Sequence, residues 1–295
     1  MRAGLEQSKI GIMPVKGNVY LIYGAGPNIA MQLGDQAVVL VDSGPAALSD
    51  QIRAAIRTVT QKPIIAIFNT SADRERIGGN ENLASGGFFL LESANQSRPQ
   101  ASLIAHLGVL ERASAKDSGI SPGSAPTDTY DAPDWKFYIN DEPVIIEHAP
   151  AAHSDSDSIV FFRRSDVVVT GDIFDMTGYP VIDSAHGGTL QGILDELNHI
   201  LKDITVANEN EQGGTMIVPG HGHIVDRNDL ANYRDMLTII RDRVADLVKK
   251  GRTLEQVKAA KPTYDYDGGY GRDSGPWTTD KFIEAVYREL SRKAK

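Results

Sequence analysis

Apolar residues along the chain fall into two alternating rhythms. The stretch "NVYLIYGAGPNIAMQLGDQAVVLVDSG" reads as three short strands, broken by the turn formers "GAGPN" and "GDQ". In "PAALSDQIRAAIRTV" the rhythm changes. Leu48, Ile52, Ala55, Ile56 and Val59 recur at spacings of three and four, which predicts a helix. "PIIAIFNT" is a mostly apolar run and predicts a strand buried on both faces. Four charges follow in a row, Asp73, Arg74, Glu75 and Arg76, before "GGNENLA" starts a short helix. A strand is expected at "GFFLLES" and a helix around "ASLIAHLGVLERA".

Residues 114–133, rich in Ser, Pro, Gly and Asp, predict a long loop, a flap or rim rather than a linker between independent domains. The pattern then restarts. Strands are expected at "WKFYI", "PVIIEHAP", "SIVFFRRS" and "DVVVTGDIF", a helix at "TLQGILDELNHILKD" and a strand in "GTMIVPGHGH". Leu230, Tyr233, Leu237, Ile240, Val244 and Leu247 then step by three and four, an amphipathic stripe on a long helix. Two shorter helices close the chain at "TLEQVKAA" and "TDKFIEAVYREL". Two similar halves of strands and helices predict one α/β domain over 1–295. The economical architecture is an αββα four-layer sandwich, two sheets face to face with helices outside.

Composition narrows the function classes. Apolar residues make up 41% and charged residues 23%, as in ordinary globular chains, and the net charge is −9. No basic stripe appears, which argues against a nucleic-acid partner. The absence of cysteine excludes disulfides, thiolate metal sites and a cysteine nucleophile. Any metal must therefore be held by His and carboxylates. No run is apolar and long enough to cross a membrane, and "MRAGLEQSKIGIM" lacks an apolar signal core. A soluble protein of cytoplasm or periplasm is expected, with a small-molecule substrate or ligand as its partner.

The candidate chemistry sits where apolar strands end: "SADRER" (71–76), "APAAHSDSDS" (149–158), "VVVTGDIF" (167–174) and "VPGHGH" (218–223). His153, Asp172 and His221 together form a set that suits zinc, manganese or iron. Taken singly, "HSD" reads as a cap and "GD" as a turn. Three such ends in one fold favour one shared site. Asp155 and Asp157 read as hydrogen-bond partners or local caps, and His223 as an exposed residue. Tyr179 and Trp277 read as packing, and "YDYDGGYGRDSGPW" as an ordered loop.

The segments "GNVYLIYGAGPNIAMQLGDQAVVLVDSG", "IGGNENLA", "AHSDSDSIVFF", "VVVTGDIF" and "VPGHGHIVDRNDLANYRDML" occur in an order that resembles the metallo-β-lactamase superfamily. In that family the turn after "NT" (69–70 here) reads H-x-H-x-D-H. The resemblance implies that His153 completes a first metal site, that Asp172 bridges two metals and that His221 completes a second. Here the four motif positions are Ser71, Asp73, Glu75 and Arg76, so all three histidines are replaced. Arg76 cannot ligate a metal, and its guanidinium is expected to replace the second cation by pairing with Asp172 or Glu75. The expected metal set is Asp73, His153, Asp172 and His221, holding zinc or another divalent metal at no more than one per chain, or none. Asp73, Glu75 and Asp172 are the candidate catalytic carboxylates. Ser71, Arg74, Arg76 and His186 are candidates for substrate binding or charge substitution. Two functions stay open. One is hydrolysis of an ester, lactone, amide or lactam at a remodelled site. The other is a non-catalytic protein that binds a small molecule or anion on the same fold.

Overall fold

The computed structural model describes residues 9–90, 99–204 and 213–293. The chain divides into two compact units, Met1–Ile146 with Val160–Val169, and Glu147–Ile159 with Thr170–Lys295.

The first unit opens with an antiparallel meander: β1 (Gly11–Lys16), β2 (Val19–Tyr23), β3 (Ile29–Leu33) and β4 (Val38–Val41). Strand β1 was not foreseen, because "GIMPVK" holds a proline and little alternation. The turn into β3 needs glycine at position 24, where φ is +90° and a Cβ would lie 2.9 Å from the Lys9 carbonyl oxygen. Then β5 (Ile64–Phe68), β6 (Ser102–His106) and β7 (Asp128–Tyr130) add in parallel, giving a seven-stranded sheet in sequence order. Its helices are α1 (Ser49–Val59), α2 (Arg74–Ile77), α3 (Asn80–Ala84) and α4 (Leu107–Ala113). Ile52 and Ile56 of α1 pack with Ile22, Ile29, Leu40 and Ile67 of the sheet in one apolar core.

Three local expectations are corrected. Residues 101–113 are not one helix but β6 followed by α4, capped by His106 Nδ1, which accepts from Gly108 N at 3.3 Å. A short strand buried on both faces and a buried helical turn give the same apolar pattern. Residues 87–90 form no strand, and the rest of "GFFLLES" lies outside the described residues. Residues 114–133 are not loop throughout. They contain a 3-10 turn at 122–124 and β7, anchored where Thr127 Oγ1 accepts from Leu103 N at 2.9 Å. Three residues of "DTY" carry no periodic signal.

The second sheet runs β12-β11-β10-β9-β8, from β8 (Asp134–Ile139), β9 (Glu142–Ala149), β10 (Asp157–Phe162), β11 (Val167–Val169) and β12 (Met216–Val218). The second unit carries α5 (Leu190–Asp203), α6 (Arg227–Lys249), α7 (Leu254–Ala259), α8 (Asp267–Tyr270) and α9 (Thr279–Lys293). Asp226 starts α6 with a capping box, and the predicted stripe is buried from Leu230 to Val244. Helix α6 packs on α5 and on α9. Glu289 of α9 accepts from Leu190 N at 2.7 Å and Gln191 N at 3.3 Å, closing the otherwise open start of α5. Among the described residues no helix is long and apolar enough to cross a membrane. The α/β class with two sheets and helices is the one the sequence predicts.

Candidate metal centre

In the first unit the charged turn follows β5. Asp73 is the N-terminal cap residue of α2, and its carbonyl accepts from Arg76 N at 2.8 Å and Ile77 N at 3.0 Å. Asp73 and Glu75 are half-buried. Ser71 is buried, and its Oγ accepts from Asp73 N at 3.3 Å. Arg74 points outward and donates from Nε to the Ser118 carbonyl at 3.2 Å. Arg76 is fully buried. Within this unit its Nη1 lies 3.6 Å from Asp42 Oδ2, and it donates to the Asn28 carbonyl at 3.4 Å. Asp42 also accepts from Thr70 N at 2.9 Å and Thr70 Oγ1 at 2.7 Å. The buried carboxylate thus meets one guanidinium and two neutral donors. The sequence reading missed Asp42, although it too stands at the end of an apolar strand, in "VVLVDSG".

The second unit gathers three of the predicted donors. His153 is buried, and its Nδ1 lies 2.9 Å from the Val181 carbonyl oxygen. A carbonyl can only accept, so Nδ1 carries a proton. A carboxylate oxygen of Asp172 lies within 4.8 Å of a ring nitrogen of His153, and one lies within 4.8 Å of a ring nitrogen of His221. Asp172 sits in a 3-10 turn directly after β11. His221 follows β12, and its carbonyl accepts from Met176 N at 3.1 Å. Gly222 follows with φ at +101°, where a Cβ would come within 2.7 Å of Met176 Cβ.

Beneath His153 lies Asp157, which accepts from Ser154 N at 2.5 Å and Ser154 Oγ at 2.7 Å. It is the local cap the sequence suggested. Burial pushes its pKa up to about 6, against the pull of His153. A second titratable cluster, which the sequence reading did not single out, joins β9 to α5. His199 Nε2 lies 2.8 Å from Glu147 Oε2, one turn along α5 from the buried Glu196. Burial raises Glu196 to about 7, opposed by His199 and reinforced by Glu147. Burial pulls His199 down, but its bond to Glu147 and the charge of Glu196 outweigh this and leave it raised. The i, i+3 spacing of Glu196 and His199 on one helix was the signal available in the sequence.

His186 is exposed, with Nδ1 2.5 Å from Asp183 Oδ2, and its carbonyl accepts from Asp155 N at 2.9 Å. His223 is exposed as expected. Tyr179 is buried and stacks on Phe282, with centroids 4.7 Å apart.

The chain belongs to the metallo-beta-lactamase superfamily, whose sequence model matches residues 13–248. Among solved structures it is similar to the stereoselective inverting sec-alkylsulfatase Pisa1 from Pseudomonas sp., at TM-score 0.67 and 16% identity, over 95% of this chain and 50% of that one. The chain thus spans about half the length of that protein. It is also similar to a metallo-beta-lactamase from Pontibacter korlensis, at TM-score 0.59 and 13% identity, over 78% of this chain and 99% of that one. The DIM-1 metallo-beta-lactamase gives TM-score 0.59 and 14% identity, over 78% of this chain and 97% of that one. At these identities the likeness is one of fold. No curated protein sequence matches.

Proposed function

We propose that the chain is a hydrolase-like member of the superfamily with a remodelled site that holds at most one divalent ion, zinc by the chemistry of its donors. The observation that carries this reading is the His153 ring. Its Nδ1–H is tied to the Val181 carbonyl, and a ring nitrogen lies within 4.8 Å of an Asp172 carboxylate oxygen. His153, Asp172 and His221 supply two imidazoles and a carboxylate, a donor set that zinc accepts. Asp73 and Glu75 join the proposal through their place in the family's motif, as carboxylates where the family has His and Asp. Arg76 does not join as a ligand.

A divalent ion held there would supply Lewis acidity and a nucleophilic water for an ester, lactone, amide or lactam. The chain's own residues do the rest. Val181 fixes the tautomer and angle of His153. Asp157 holds the loop behind it through two bonds to Ser154. Asp172 faces both imidazoles and orients what lies between them. With His replaced at three motif positions, hydrolysis is expected to be slow.

Elemental analysis and zinc titration test the reading. One zinc per chain or less is expected, and His153→Ala should lower its affinity at least about tenfold, as loss of one ligand does. Two tightly held ions per chain would overturn the single-ion site. No zinc binding at all would leave the non-catalytic alternative, a protein that binds a small molecule or anion.

A further inference from the structure

A cavity of about 530 Å³ lies in the second unit between α9 and the segment 182–189. That volume lies in the range of small-molecule sites. Ile182, Ala285 and the indole of Trp277 give it apolar walls, and Lys281, Arg288 and Arg292 stand on its α9 side. Positions 281, 285, 288 and 292 share one helical face.

Two acidic residues, Glu284 and Glu289, also line the cavity, but both are already occupied. Glu284 pairs with Lys258 at 3.3 Å and with Arg288. Glu289 takes the two backbone N–H groups at the start of α5. Lys281 Nζ donates at 2.7 Å to the Pro276 carbonyl, a neutral acceptor, and makes no ion pair among the described residues. Arg292 has no ion pair among the described residues. An apolar hollow beside two cations that make no ion pair among the described residues is a combination that a solvated charged face does not explain.

We propose that this cavity binds a small organic anion with an apolar body, an aryl or alkyl carboxylate. Its acid group meets Lys281 and Arg292, and its body lies against Trp277, Ile182 and Ala285. The cavity is built onto the His153 loop. Ile182 follows Val181, and a Cβ at Gly188 would lie 2.0 Å from the His153 carbonyl oxygen. Occupancy therefore bears on the wall that positions His153.

The test reads binding alone, on metal-free protein, so its outcome is independent of any hydrolysis. Calorimetry with 3-phenylpropionate and with its neutral amide is the first arm. Saturable binding of the acid is expected, with the amide weaker by about tenfold or more, the worth of one charge-assisted bond. The double variant Lys281→Gln, Arg292→Gln changes two exposed side chains and should retain the fold. It should lose about tenfold for the acid and nothing for the amide. The chain has two tryptophans, Trp135 and Trp277, so in a Trp135→Phe background indole fluorescence reports on the cavity directly. The emission of Trp277 should shift on saturation. No saturation below about 10 mM overturns the proposal, as does equal affinity for acid and amide or wild-type affinity in the double variant. Inorganic phosphate displacing the acid at equal concentration would show that charge alone is recognised, and would overturn the apolar-body assignment.

Discussion

The two units neutralise buried carboxylates in opposite ways. In the first, Asp42 faces the guanidinium of Arg76, a cation that keeps its charge at every working pH. In the second, Asp157 and Glu196 face imidazoles, and burial raises them to about 6 and about 7. The first balance is fixed into the covalent chain. The second is exchangeable, because a proton can occupy each carboxylate or leave it as pH changes. The contrast teaches where binding is to be sought. A site that carries its own cation has no need of another, and one that relies on protons does.

The comparison breaks most visibly at Arg76. Arg76→Ala should cost about 3–5 kcal/mol, because it leaves Asp42 charged and buried without its partner. Urea unfolding measures it, and a loss below about 1 kcal/mol would mean the pair does not hold this unit together. Arg76→His, the change that restores a family ligand, should also destabilise, because imidazole is shorter and titrates. Adding Asp42→Asn to Arg76→Met should cost less than the sum of the single changes.

The exchangeable side is tested by pH. The Glu196 pKa is raised from 4.5 to about 7 in the folded chain. The native state therefore holds a proton that the unfolded state has released. Stability is greatest below about pH 4.5 and falls as pH rises towards 7, by about 3 kcal/mol from this group. The raised His199 gives a fall of the same sign at higher pH. Unfolding free energies of the parent and Glu196→Gln should coincide near pH 4.5 and diverge towards pH 8, the variant being flatter and the more stable at the upper end. Parallel curves would refute the assignment.

Gly188→Ala pushes a Cβ to 2.0 Å from the His153 carbonyl oxygen, and should cost about 1–3 kcal/mol and weaken zinc binding. Unchanged melting and unchanged zinc affinity together would show that this contact does not set the ring. The smallest effect is expected at Arg74→Ala. That side chain is exposed with one bond to Ser118, so the change should stay within about 0.5 kcal/mol.

Much of this was legible in the sequence, for identifiable reasons. The α6 stripe from Leu230 to Val244 is long enough for its period to be unambiguous, and its buried face is the predicted one. The strand-end pattern singled out His153, Asp172 and His221 as candidates, and Asp172 does lie within 4.8 Å of a ring nitrogen of each histidine. The same rule applied to "VDSG" would have found Asp42. The pairing of Asp42 with Arg76 could not be read, since it joins positions 34 apart whose encounter depends on the β4–β5 register. Strand β7 was hidden for a different reason. Three residues carry no period, and its partner β6 had itself been read as helix. The support of His153 by Val181 is a backbone carbonyl and leaves no trace in residue identity.

The Glu289 carboxylate has a bearing on where this protein can be cut. The family's sequence model ends at residue 248, and α9 begins thirty-one residues later, at 279. An expression fragment trimmed to the matched range would lose the acceptors for Leu190 N and Gln191 N. It would also lose Phe282, Ile283 and Val286, which are buried in the intact chain. Such a fragment should be recovered as insoluble material, however complete the family signature it carries. The practical unit of this fold is set by the last helix, and a boundary drawn from sequence likeness alone falls inside it.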